Sequence, residues 1–216
     1  MSEEILDFRT FSSTSRPAFE ALKSAPGLLA MYLGAQIESP DTQVLVLHWA
    51  SADAYTAAAD NEDEDDAAKY TFSAQVPVKR GSPAAALAAP CTEVMTGYGV
   101  EKETFMGQCT EFMAKVDAGV GMTDGYHGYA LGGETLSDIQ KGREGESGKG
   151  VVLLLGWDSK EAHVQAKAKP GRKSFPSLFF WRNSCHQLGG HDANILGQLS
   201  AKTSTWFGRL ERMSIW

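Results

Sequence analysis

Two stretches of the chain carry the same pattern of apolar and polar positions. "VLVLHWASADAY" (44–55) and "VVLLLGWDSKEAH" (151–163) each run from a block of aliphatic residues into a Trp, then a Ser, then an Ala-bearing helix start. At an offset of 108 residues, Val44 pairs with Val152, Val46 with Leu154, Leu47 with Leu155, Trp49 with Trp157, Ser51 with Ser159 and Ala54 with Ala162. The two blocks are apolar at nearly every position rather than alternating, which predicts strands covered on both faces. A Ser where a strand turns into a helix accepts a backbone N–H that would otherwise go unmet.

The likeness extends beyond these blocks. In the first half "EILDFRTF" (4–11) reads as a strand and "RPAFEALKSAPG" (16–27) as a helix, opened by Pro17 and stopped by Pro26 and Gly27. In the second, "TEVMTGYGV" (92–100) reads as a strand and 102–121 as a helix, with Phe105, Cys109, Phe112, Met113 and Val116 at helical spacing. Gly-rich extended stretches follow at 27–39 and 125–135, and last strands are expected at "AQVPV" (74–78) and "TSTWFGRLER" (203–212). Between the halves, "KRGSPAAALAAP" (79–90) has linker composition, which places one repeat at 1–90 and the other at 91–216. In a βαββαβ unit the helices cover one face of the sheet, so the other face must meet the sheet of the sister unit. The expected fold is therefore α+β: two ferredoxin-like βαββαβ repeats packed sheet to sheet as an intramolecular dimeric α/β barrel.

These residues also carry a resemblance. "LLLGWDSKEAH" (153–163), its degenerate copy "LVLHWASADAY" (45–55) and "APCTEVMTGYGV" (89–100) resemble a tandem, two-repeat dimeric α/β-barrel protein of the fungal type, in the branch related to antibiotic-biosynthesis monooxygenases. The resemblance spans essentially the whole chain and implies, in each half, an apolar and aromatic pocket between the sheet and its helices. It implies foremost a cofactor-independent enzyme of secondary metabolism that cyclises or isomerises a hydrophobic terpenoid or polyketide intermediate, pericyclic chemistry included. Its alternatives are a monooxygenase of aromatic or quinol-type substrates, with no cofactor or with haem on a His, and a non-catalytic hydrophobic-ligand or stress protein.

Composition narrows the partners. Twenty Lys and Arg against twenty-seven Asp and Glu leave a net charge of −7, which argues against nucleic acid. No apolar run is long enough to span a bilayer and the N-terminus lacks a leader pattern, so a soluble cytoplasmic chain is expected. Cys91, Cys109 and Cys185 form no CxxC pair and read as reduced thiols. "GREGESGKG" (142–150) departs from the P-loop pattern at Arg143 and Gly150 and reads as a hairpin loop, and neither a cofactor nor a metal is expected. Because both halves of a barrel lie in one chain, a monomer is expected.

Ten Phe, six Tyr, five Trp and seven Met supply the pocket lining. His48 interrupts an apolar strand where the sister copy has Gly156, so it reads either as an acid/base group or as a hydrogen-bonded structural His. His127 and Tyr129 lie two apart, on one face of a strand, with Tyr126 on the other, and complete the catalytic candidates. Tyr32, Trp49, Tyr98, Trp157 and Trp206 are candidates for substrate binding, although the repeated Trp49 and Trp157 also suit the core. Thr96 and Tyr98 align with Asp7 and Arg9 as a polar pair repeated on one face, a pocket wall or a solvent edge. His163, the counterpart of Tyr55, reads as an exposed or capping residue. His186, His191 and Asp192 make a weak metal signal, and the acidic run 61–66 reads as solvated surface.

Overall fold

The computed structural model describes residues 3–98, 102–118, 124–139, 149–168 and 202–213. The first repeat runs β1 (Ile5–Ser12), a turn of 3-10 helix (Phe19–Ser24), β2 (Leu28–Gln36), β3 (Thr42–Trp49), α1 (Ala52–Ala59), α2 (Glu64–Ala67) and β4 (Tyr70–Gly81). A short helix α3 (Pro83–Leu87) leads into the second: β5 (Cys91–Tyr98), α4 (Lys102–Asp117), β6 (Tyr126–Glu134), β7 (Gly150–Trp157), α5 (Lys160–Ala168) and β8 (Lys202–Met213). Ser51 accepts from the Ala54 N–H and Ser159 from the Ala162 N–H, so the repeated Ser is a helix cap in both halves.

Among the described residues, eight strands close into one antiparallel barrel in the order β1-β3-β2-β8-β5-β7-β6-β4. Each repeat supplies four neighbouring strands, and the seams are the β2–β8 and β4–β6 pairings. This is the intramolecular α/β barrel of two ferredoxin-like units that the duplication predicts. Its interior is filled from both halves by Leu6, Phe8, Tyr32, Val44, Val46, Val76, Val94, Val152 and Leu154. The alternate residues face outward under the helices: Ile5, Met31, Leu45, Leu47 and Trp49 in the first repeat, Leu131, Leu153, Leu155 and Trp157 in the second.

Register corrects one alignment drawn from the sequence. Ile5 lies opposite Trp49 and Cys91 opposite Trp157, which makes Asp7 equivalent to Glu93, Arg9 to Met95 and Thr10 to Thr96. Aligning Asp7 with Thr96 slips the strand by three residues, and an odd slip exchanges the faces. The linker reading of 79–90 is corrected as well. β4 extends to Gly81, Ser82 caps α3 by accepting from the Ala85 N–H, and Pro83, Ala86 and Leu87 are buried. The Ala-rich composition is there because this helix plugs the barrel, not because the segment is a spacer.

That plug accounts for the contrast between His48 and Gly156. β1 and β5 are four antiparallel steps apart around the ring and so run the same way, which places the ends of β3 and β7 at one end of the barrel. There α3 leans on the second repeat. A Cβ on Gly156 would sit 2.8 Å from the Ala89 Cβ and 3.0 Å from the Ala86 carbonyl oxygen, and one on Gly128 would sit 2.8 Å from the Ala85 Cβ. On the first-repeat wall His48 occupies the equivalent place and meets Glu4 at 2.9 Å.

Because the obstructing atoms at Gly156 are the Ala86 backbone in α3 and the Ala89 Cβ just beyond it, Gly156→Ala should displace this segment. A loss of about 1–3 kcal/mol is expected, read as a lower midpoint in urea unfolding with an unchanged slope.

Candidate functional site

Asp7 and Arg9 are two apart on β1 and share its outward face, where an apolar sheet should meet helices. Both are buried, Asp7 completely, and a buried charge persists only with partners. Arg9 Nε donates to Asp7 Oδ2 at 2.8 Å, and Arg9 Nη1 pairs with Glu62, in the turn between α1 and α2. Gln75 on β4 donates its Nε2 to Asp7 Oδ1 at 2.9 Å and to Ser73 Oγ at 2.6 Å. From the second repeat, Ser137 Oγ donates to Gln75 Oε1 at 3.3 Å. The Arg9 guanidinium carbon lies 4.9 Å from the centre of the Tyr70 ring, within cation–π range.

Above this network is a cavity of about 160 Å³. Arg9, Ser73 and Gln75 form its floor, Tyr70 and Phe72 a wall, and Tyr55, Ala59, Glu62 and Ala67 its helical roof. Drug-sized ligands fill roughly 300–1,000 Å³, so this space suits a compact molecule or one end of a larger one. Burial works against the Arg9 charge, but Asp7 and Glu62 more than offset it and raise its pKa further above the ordinary value. Burial, reinforced by Asp7, pushes the Tyr55 phenol up to about 12 against the opposing pull of Arg9. Burial likewise pushes Tyr70 up to about 12, again with Arg9 opposing. At neutral pH the cavity therefore presents a fixed cation and two intact phenol O–H groups, with Glu62 paired to the cation. Such a set can accept a proton from a bound O–H or C–H acid and donate hydrogen bonds to the anion that forms.

The equivalent face of the second repeat is built differently. Glu93 accepts from Trp157 Nε1 at 3.1 Å and lies 3.5 Å from His163 Nδ1, and the His163 ring stacks on Trp157 with centroids 5.0 Å apart. His163 is thus buried beside a carboxylate, contrary to its reading as exposed or capping.

The other candidates are dispersed. His48 shares its face with Val44 and Val46, on the barrel interior side, and is not in the cavity. Tyr32 is also interior, while Trp49 and Trp157 are outward-facing core. A bulge between Tyr126 and Gly128 corrects the expected alternation: Tyr126 and Tyr129 join the same core cluster, and His127 is exposed and meets Asp158 at 2.6 Å. Tyr129 accepts from Arg80 Nε at 2.9 Å. Tyr98 and Trp206 lie in β5 and β8, opposite Gly150 and Val94 respectively. His186, His191, Asp192, Cys185 and most of 142–150 lie outside the described residues.

The acidic run 61–66, expected on the surface, sends Glu62 inward to Arg9. The signal that points to it is a buried Arg on an apolar strand, which calls for a second carboxylate. Burial pushes the Cys91 thiol up to about 11 and Cys109 to about 12, which leaves both inert as nucleophiles. Among the described residues no group of three or more His, Cys, Asp or Glu is placed to hold a metal ion, and no helix is long and apolar enough to cross a membrane.

No family model matches the chain, and no curated protein matches it. Solved structures do. An anthrone oxidase-like protein superposes with a TM-score of 0.58 at 10% identity, covering 97% of this chain and 92% of its own. Candidate monooxygenases from Fusobacterium nucleatum (10% identity) and Lactobacillus acidophilus (9%) each give a TM-score of 0.50, with 98% of this chain and 94% of theirs covered. At such identities the likeness is one of fold, and the fold shared is the ferredoxin-like α+β arrangement described above.

Both cavity phenols have a folded-state pKa above the ordinary 10.0 of an unfolded Tyr. The stability they contribute is therefore complete below pH 10 and is lost as pH rises through about 12. Absorbance titration of tyrosinate should show a late-titrating class, and Tyr70→Phe should remove one member of it.

Proposed function

We propose that the chain is a small-molecule enzyme of monooxygenase type, acting in the first-repeat cavity on a compact, neutral phenolic or quinol-type compound such as an anthrone. The observation that carries the reading is the convergence of Arg9, Tyr55, Tyr70 and Glu62 on one cavity. The name of the anthrone oxidase-like neighbour agrees with a substrate of this kind.

The buried network Asp7, Arg9 and Glu62 has one cation for two carboxylates, which disfavours an anionic ligand and favours a neutral one that ionises in place. Glu62 takes a proton from the activated C–H or O–H. Arg9 and the two phenols hold the resulting oxyanion, an arrangement that stabilises charge as it develops. The electron-rich anion then reduces dioxygen. For an anthrone-type CH₂ group, one oxygen atom becomes the carbonyl and the other leaves as water with the two hydrogens. Sequence duplication and the closed barrel support placing the chain in the tandem, fungal-type branch. They also support a monomer, whose light-scattering mass should be close to 23.3 kDa.

Oxygen uptake with anthrone or a simple quinol is the test. Glu62→Gln should lower the rate by about 10²–10⁴-fold, the range typical of a lost general base, while His48→Ala keeps most of it. Full activity in Glu62→Gln removes Glu62 from the chemistry. Turnover that persists without oxygen indicates a redox-neutral cyclisation or isomerisation through the same anion. Saturable binding with no product indicates a ligand-binding protein.

A further inference from the structure

Among the described residues, the roof of the cavity is attached differently from the helical layer formed by α4 and α5. α1 and α2 contain no buried residue, whereas α4 buries Cys109 and Met113 and α5 buries His163 and Ala166. The sequence of α1, ADAYTAAA, offers the sheet little beyond Ala52, Ala54, Tyr55 and Ala58, all only partly buried. Short helices draw most of their stability from a packed apolar face, and segments with few buried contacts open at low free-energy cost. In place of apolar anchoring, the middle of this segment reaches the floor through charge: Glu62, between the two helices, pairs with Arg9, whose side chain is 5% exposed against 15% for Glu62. Asp66, whose side chain is 18% exposed, bonds Lys69 three residues on and the Ala18 backbone N–H, neither of them on the cavity floor.

We propose that residues 52–67 form a lid over the first-repeat cavity, and that the Arg9–Glu62 ion pair is the latch that holds it closed. The floor end of the latch does not move, because Arg9 is also held by Asp7, which Gln75 holds in turn. The lid end rides on a turn between two short helices. Opening separates Glu62 from the guanidinium and widens the cavity mouth; closing returns the carboxylate to the floor. The proposal rests on the functional reading only in giving Glu62 a second role: closure and placement of the proton acceptor become one event, so the open cavity is not chemically competent. This also accounts for the acidic run, which keeps the open lid solvated and from which Glu62 reaches Arg9 on the cavity floor.

Hydrogen exchange followed by mass spectrometry on the full chain tests the latch with no ligand present. Glu62→Gln removes the charge, and the milder Glu62→Asp keeps the charge but shortens its reach. In both, amides of 52–67 should exchange about tenfold faster or more, as expected when a local opening loses its main restraint, with β1 and β4 unchanged. Unchanged exchange in 52–67 in both variants overturns the proposal, as does an equal acceleration in β1 and β4, which would make the pair a part of the global fold. Faster lid exchange supports the latch whether or not the wild-type chain consumes oxygen with anthrone. Loss of oxygen uptake with unchanged lid exchange leaves Glu62 its chemistry and removes the latch.

Discussion

Closing eight strands into a ring decides where chemistry can sit. A closed antiparallel barrel has no free edge, so each strand has one face inside and one outside. The inside here is filled by aliphatic and aromatic side chains from both halves, and one end is stopped by α3. What remains for polar work is the outer face, between strands and helices, where burial is deep enough to shift pKa values but a covering helix can still stand off. The Asp7–Arg9–Glu62 network occupies such a place. His48, on the inner face, is excluded from it by strand alternation alone.

The two repeats have the same scaffold and have used this face differently. Asp7 and Glu93 occupy one position, as do Arg9 and Met95, Trp49 and Trp157, Tyr55 and His163. The longer Glu93 reaches the Trp157 indole N–H, whereas Asp7 is taken up by Arg9 and Gln75. Trp49 Nε1 accordingly has no hydrogen-bond partner among the described residues, a cost of about 1–3 kcal/mol for a buried donor. With Met95 in place of Arg9, this face has no counterpart of the Arg9 cation for a helical carboxylate to meet. α4 buries Cys109 and Met113 there, and α5 buries His163 against Trp157 and beside Glu93.

How much of this was legible in the sequence depended on range. The apolar runs at 44–49 and 151–157, the capping Ser residues and the duplication are local signals, and they led to the barrel. What stayed hidden depends on pairing between distant segments. Asp7 could be matched to Glu93 only once each first strand was registered against its Trp-ended partner. His127 and Tyr129 looked like a pair because a bulge leaves no mark in a Gly-rich strand. "SPAAALAAP" looked like a linker because small residues suit a spacer and a close-packed plug equally well. Glu62 was lost among neighbouring carboxylates: nothing in "NEDEDD" distinguishes it, and only the buried Arg9 does.

The same reasoning changes the meaning of the contrast between His48 and Gly156. An asymmetry between repeats invites a functional reading for the copy that gained a polar side chain. A packing constraint lies on the other copy: a Cβ on Gly156 would meet Ala86 and Ala89, whereas His48 meets Glu4. A single α3 must lean to one side of a pseudo-twofold barrel, so some position on its side must lose a side chain that its twin keeps. On the outer face the polar divergence is Arg9 against Met95, at equivalent positions of β1 and β5. Arg9, held by Asp7 on its own strand and by Glu62 from the helical layer, gives the first repeat a buried ion-pair network that Met95 cannot make.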